Sequence, residues 1–70
     1  MWTEGILNGC QYWVKHFENG SEYGIDGGRI SKLSIRRDGK EIYNYDRGLD
    51  FDNLDSAGRA VYHELLKRYN

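Results

Sequence analysis

The chain is predicted to be an α+β domain: an antiparallel sheet of two β-hairpins, about four strands, with one C-terminal α-helix packed on one face. Three observations predict this. Asn8-Gly9 and Asp38-Gly39 each separate two runs of strand-forming residues, and Asn-Gly and Asp-Gly favour the two-residue type I′ turn, in which both residues need positive φ. From about residue 54 the apolar residues switch to helical spacing. A length of 70 residues is that of one domain, residues 1–70.

Hairpin one joins Thr3–Leu7 to Cys10–Phe17. A two-residue turn sets the register, which collects Thr3, Gly5, Leu7, Cys10, Tyr12 and Val14 on one face. Trp2, Glu4, Ile6, Trp13, Lys15 and Phe17 fall on the other. Both faces carry apolar side chains, and the bulkier set of Trp13, Phe17 and Ile6 is expected to form the core. The stretch from Glu18 to Arg29 holds four of the nine glycines and reads as a loop too long for a tight turn.

Hairpin two joins Ile30–Arg37 to Lys40–Asp46. The same rule sets Arg37 opposite Lys40, Arg36 opposite Glu41, Ile35 opposite Ile42, Ser34 opposite Tyr43, Leu33 opposite Asn44 and Lys32 opposite Tyr45. One face then holds Leu33, Ile35 and Ile42 and reads as core. The other holds Ile30, Lys32, Ser34, Arg36, Glu41, Tyr43 and Tyr45 and reads as half-wet. Arg47–Asn53 is expected to be a connection ending in residues that cap helices.

The helix is expected from Leu54 or Ser56 to Tyr69, with a stripe of Leu54, Ala57, Val61 and Leu65 widened by Tyr62, Leu66 and Tyr69. Asp52, Asn53 or Asp55 suits the N-cap, and Lys67 and Arg68 suit the last turn. Gly58 costs about 0.8–1 kcal/mol against alanine inside a helix. Either it lets the helix approach the sheet closely or the helix starts late.

Ten basic and eleven acidic side chains leave a net charge of −1, so no global field steers the chain to nucleic acid or to an anionic membrane. Cys10 is the only cysteine; it permits no internal disulfide and suits a reducing compartment. It reads as a small core thiol. Neither a leader pattern nor an apolar run of membrane-spanning length stands out, so no membrane association and a cytoplasmic location are expected. A core of this size supplies only ~3–5 kcal/mol, which leaves a homodimer open.

Catalytic motifs fail on inspection. Asp50-Phe51-Asp52-Asn53 begins like a calcium loop, but Leu54 stands at the third ligand position and Val61 at the bidentate Glu position. Capping and the helix dipole explain Asp46, Asp50, Asp52 and Asp55 better than a metal does. Cys10, His16 and His63 have no zinc spacing, and Lys67 stands where a second His would follow His63-Glu64. None of the serines sits in a nucleophile elbow. The expectation is a non-enzyme without metal or cofactor.

Two features suit binding. Gly24, Gly27 and Gly28, beside Arg29, Lys32 and Arg36, suit a phosphate cradle of backbone N–H groups, although a strand rather than a helix follows. The competing reading is a structural loop that needs positive φ. On the outer face of hairpin two, Lys32, Arg36, Tyr43 and Tyr45 interleave as a protein hot spot or a base-stacking platform would. The competing reading there is a solvated sheet face.

Ser21–Leu33, with its Gly-Gly-Arg-Ile-Ser-Lys-Leu segment, and Tyr45–Asp50, with Tyr-Asp-Arg-Gly, resemble a family of short uncharacterised proteins of phages and mobile elements in Gram-positive bacteria. The resemblance covers roughly the middle half of the chain and departs at Leu49, where the family has tryptophan. It implies a domain without an assigned activity, in a setting where small proteins bind and block host factors, defence systems included. The site expected on all these grounds is Arg29, Lys32, Arg36, Tyr43, Tyr45 and Arg47 beside the glycine loop. Arg47 has a second reading, in which it pairs with a neighbouring aspartate and pins the connection to the helix. The expected partner is a host protein; a small nucleotide or nucleic acid is the alternative.

Overall fold

The computed structural model describes residues 1–70. In chain order the elements are β1 (Trp2–Leu7), β2 (Cys10–His16), a single 3₁₀ turn (Ile25–Gly27), β3 (Ile30–Arg37), β4 (Lys40–Asp46), β5 (Leu49–Asp52) and α1 (Ser56–Tyr69). The strands form one five-stranded antiparallel meander in the order β1-β2-β3-β4-β5. The α+β class and the C-terminal helix are as expected. The fifth strand is an addition, because Leu49–Asp52 pairs with β4 instead of serving as a bare connection.

Both hairpin turns have the backbone that their residues favour. Asn8 and Gly9 take φ of 49° and 77°, and Asp38 and Gly39 take 54° and 76°, the paired positive values of a type I′ turn. Hairpin one has the expected register, Leu7 against Cys10 through Trp2 against Lys15. Its buried face is the opposite of the expected one. Cys10 and Val14 are fully buried and Tyr12 is 6% exposed, whereas Trp2 is 58% and Ile6 72% exposed. Bulk misleads here, since the bulky face also carries Glu4, Gln11 and Lys15, whose burial without partners would cost more than leaving Trp2 exposed and Trp13 half-buried. Gly5 belongs to the buried face, and a Cβ there would lie 2.8 Å from the Tyr12 hydroxyl. The missing side chain lets the Tyr12 ring lie across β1.

Hairpin two keeps the expected register for two pairs, Arg37 with Lys40 and Arg36 with Glu41, and then slips. Ile35 faces Tyr43, Ser34 faces Asn44, Leu33 faces Tyr45 and Lys32 faces Asp46. Ile42 is the extra residue of a β-bulge, which turns both Ile42 and Tyr43 inward; they are 8% and 3% exposed. Tyr43 is therefore a core residue and not part of the half-wet face. Tyr45 likewise packs against the core cluster. Ile30, also expected on the half-wet face, is fully buried, beside a second bulge where β2 meets β3.

The core lies between the sheet and α1 and is built from Cys10, Tyr12, Val14, Ile25, Ile30, Leu33, Ile35, Ile42, Tyr43, Val61 and Leu65. Asp55 is the N-cap of α1 and accepts a hydrogen bond from the Gly58 N–H at 2.8 Å. Gly58 is buried, and a Cβ there would lie 3.0 Å from Leu54 and 3.1 Å from Ile42. Close approach to the sheet accounts for this glycine. Ala57, expected on the buried stripe, is exposed.

Candidate functional site

With α1 covering one side of the sheet, the other side is open. Alternation along β1 to β4 places Trp2, Glu4 and Ile6, then Gln11, Trp13 and Lys15, then Lys32, Ser34 and Arg36, then Asn44 and Asp46 on that side. The Arg36 guanidinium lies over the Trp13 ring at 5.6 Å, and the Lys15 ammonium lies 5.9 Å from Trp2 and 5.5 Å from Phe17. Such contacts orient cations on solvent-accessible aromatic rings at about 0.5–1 kcal/mol each. A shallow depression of ≈ 400 Å³ is lined by Trp2, Trp13, Lys32, Ser34, Arg36 and Asn44, among others.

Charge on this face is balanced but unevenly spread. Lys15 stands directly opposite Lys32 across β2 and β3, an unfavourable like-charge pair. Asp46 relieves it in part, 3.5 Å from the Lys32 ammonium. The Glu41 carboxylate accepts the Ser34 hydroxyl at 2.7 Å, and Asp50 accepts from the Asn44 amide at 2.9 Å.

The expected site residues divide among four places. Lys32 and Arg36 share the open face. Tyr43 sits in the core, where burial first and the neighbouring Tyr62 second push its phenol above the ordinary tyrosine range; it has no surface to offer a partner. Tyr45, which also lines the depression beside Lys32 and Arg36, meets the glycine loop at the end of the sheet together with Arg47. The Tyr45 hydroxyl donates to the Tyr23 carbonyl at 3.0 Å, and the Arg47 guanidinium stacks on the Tyr23 ring at 4.4 Å. Arg47 has a φ of 59°, and its N–H donates to the Ser31 carbonyl at 2.8 Å. It pins the loop through Tyr23 and not through an aspartate. Arg29 opens instead onto a separate depression with Met1, His16, Phe17 and Glu18.

The glycine loop is closed upon itself. The N–H groups of Ser21, Gly24, Gly27 and Gly28 donate to the carbonyls of Gly28, Ser21, Gly24 and Ile25. A Cβ on Gly24 would collide with the Gly28 carbonyl. From the end of α1, the Asn70 side chain accepts the Ile30 N–H at 2.9 Å and donates to the Ile25 carbonyl at 3.0 Å. The donors that a phosphate cradle needs are thus engaged within the fold.

The aspartates near the helix start also separate. Asp46 meets Lys32, Asp52 meets Arg59 at 3.1 Å, Asp55 meets Arg37 at 2.6 Å, and Asp50 meets Asn44. No three His, Cys, Asp or Glu side chains converge. His16 packs on Tyr69 at 4.8 Å between ring centres and shares a hydrogen bond of 3.0 Å with Thr3. No helix is long and apolar enough to cross a membrane.

Sequence reasoning missed Trp2, Trp13 and Lys15 as members of the open face. The signal for them was present: Glu4, Gln11 and Lys15 share their side of hairpin one, while the other side carries no carboxylate, ammonium or guanidinium group. The model of a domain of unknown function, DUF7678, matches residues 1–70. No curated protein and no solved structure matches.

Proposed function

This chain belongs to the DUF7678 family of domains of unknown function, and for it we propose a non-enzymatic role: binding a protein partner through the open face of the sheet. The observation that carries this reading is Trp13 beneath Arg36 near the middle of a helix-free face, with half-exposed Trp2 and a polar rim of Ser34, Asn44 and Asp46. Aromatic and arginine anchors inside a polar rim are the anatomy of interface hot spots. The Lys15–Lys32 pair asks for a further carboxylate, so the partner presents an acidic side chain beside its apolar anchor. The resemblance to phage and mobile-element proteins extends the proposal to its setting: a phage or prophage product acting in the bacterial cytoplasm on a host factor, such as a defence system.

The test is capture from a host lysate by the tagged chain, followed by measurement with the isolated partner. Trp13→Ala together with Arg36→Ala should abolish binding while the chain still unfolds in one cooperative transition, its midpoint lowered by about 4–8 °C for each kcal/mol of lost packing. Undiminished binding by that variant would overturn the reading.

A second reading has its own observation, two indoles beside three cations, Lys15, Lys32 and Arg36, on one face. Bases stack on such surfaces. Glu4, Glu41 and Asp46 on the same side offset the cations, which removes most of the phosphate attraction that nucleic-acid binding draws on, so the protein partner ranks first. A thermal-shift series with single-stranded oligonucleotides and nucleotides separates the two, since a ligand that binds only the folded chain raises its midpoint.

A further inference from the structure

The two edges of the sheet are protected very differently. β5 is four residues long, carries Asp50 and Asp52, and is offset from β4 by an irregular register. Short length, charge and bulges are the usual defences of an edge strand. β1 has six residues in unbroken register with β2, without Pro or Lys, and exposes Trp2 and Ile6. Glu4 is its one charged residue.

The backbone of β1 fixes what its outer edge offers. The Met1 carbonyl accepts the His16 N–H at 2.9 Å, and the Met1 amino group donates to the His16 carbonyl at 3.0 Å. This doubly bonded pair sets the antiparallel alternation, so Thr3, Gly5 and Leu7 bond inward to β2 while the N–H and C=O groups of Trp2, Glu4 and Ile6 point outward. The side chains of these same three residues stand on the open face. One depression of ≈ 380 Å³ is lined by Trp2, Thr3, Glu4 and Trp13; another of ≈ 290 Å³ is lined by Glu4, Gly5, Ile6, Gln11, Tyr12 and Trp13. Glu4 and Trp13 line both.

The geometry points to β1 as a docking edge for an extended segment of the partner protein, which adds a sixth strand with a basic side chain at Glu4 between apolar side chains at Trp2 and Ile6. This rests on the reading of the open face as a protein-binding surface and names the chemistry recognised at its border. Backbone bonds supply affinity and the alternate side chains supply selectivity in strand addition. Charge complementarity selects the occupant. A two-fold pairing of β1 with a second copy, Trp2 against Ile6, would set Glu4 against its own equivalent, and like charges directly opposite destabilise a strand pair.

The test uses the full chain and synthetic peptides at millimolar concentration. The probe is an acetylated, amidated Thr-Val-Thr-Lys-Thr-Val-Thr peptide; the controls are its Glu-centred counterpart and a Lys-centred peptide N-methylated on alternate amides. The Lys-centred peptide should slow amide hydrogen exchange at Trp2, Glu4 and Ile6 by about tenfold or more, with neither control doing so. Glu4→Lys should reverse the preference to the Glu-centred peptide. No slowing, or equal slowing by both centres, overturns the inference. Slowing that needs no peptide and grows with protein concentration also overturns it, because a second copy then holds the edge. A Glu4→Lys chain that retains full partner capture, while Trp13→Ala with Arg36→Ala loses it, overturns the edge and leaves the open-face reading standing.

Discussion

The Arg37 guanidinium grips both carboxylate oxygens of Asp55, at 2.6 and 3.0 Å, and one of those oxygens also caps the Gly58 N–H at 2.8 Å. A single carboxylate thereby joins the tip of hairpin two to the start of α1. The Arg37 contact, with the Gly58 N–H second, lowers the Asp55 pKa from 3.8 to about 2. Between those values the unfolded chain binds the proton and the folded chain does not, so stability rises with pH there. Stability from this contact is complete above pH 3.8 and is lost as the pH falls toward about 2. Denaturation followed from pH 5 to pH 2 should show that loss, and Asp55→Asn should flatten it.

His16 gives a separate acid response. Burial first, then the positive N-terminus and Arg29, lower its pKa below the ordinary 6.5. The unfolded chain takes up this proton before the folded one, so stability falls as the pH drops below 6.5. His16→Gln should remove this shallow slope from the pH dependence of the unfolding midpoint while leaving the steeper one near pH 3.

Asn70 ties the glycine loop to the sheet. Asn70→Ala leaves the Ile30 N–H and the Ile25 carbonyl without their side-chain partner, at a cost of about 1–3 kcal/mol. Urea unfolding should register the loss, and exchange of the Ile30 amide should accelerate more than that of the Leu33 amide. Equal acceleration at both would mean that Asn70 acts on the whole fold and not on the loop.

Gly58 faces Ile42 of the sheet with little room between. A Cβ there already lies 3.0–3.2 Å from Leu54, Ile42 and Asp55. Gly58→Val should therefore destabilise by about 1–3 kcal/mol through overpacking, despite leaving helix propensity no worse than glycine's. Ala60→Val, on an exposed position of the same helix, should cost no more than its helix-propensity difference of about 0.7 kcal/mol; urea midpoints compare the two.

Tyr43 and Arg36 lie on opposite faces of one hairpin. Tyr43→Ala should cost about 3–5 kcal/mol, as large aromatic deletions from a core do. Arg36→Ala should cost no more than its contact with Trp13 is worth, about 0.5–1 kcal/mol, and act chiefly on partner binding. In an alkaline titration followed by phenolate absorbance, Tyr43 should ionise late, since burial and Tyr62 raise its pKa.

Much of this was legible because some residues have few alternatives. Asn8-Gly9 and Asp38-Gly39 announce their turns, and the spacing from Leu54 to Tyr69 announces α1. The bulge at Ile42 has no such marker. Neither glycine nor proline flags it, yet its single extra residue carries Tyr43 from the wet face to the core. β5 was hidden because Asp50 and Asp52 read as caps, although Leu49-Asp50-Phe51-Asp52 alternates as a strand does. Of the expected site, Lys32 and Arg36 stay together because their spacing of four is even along a strand. Tyr45 lines the same depression as these two, whereas Arg29, Tyr43 and Arg47 part from them because bulges and loop closure are tertiary matters.

The strictly sequential order of the sheet bears on how the surface comes into being. Each strand pairs with its neighbour in the chain, so most contacts are local, and chains of low contact order fold fast. Trp2, Trp13, Lys32, Arg36 and Asn44 all lie on the first four strands. Kinetically, the binding face can assemble by hairpin zipping before α1 condenses onto the opposite side. Changes in the helix should then act chiefly on the unfolding rate, while changes in the two hairpin turns slow folding itself.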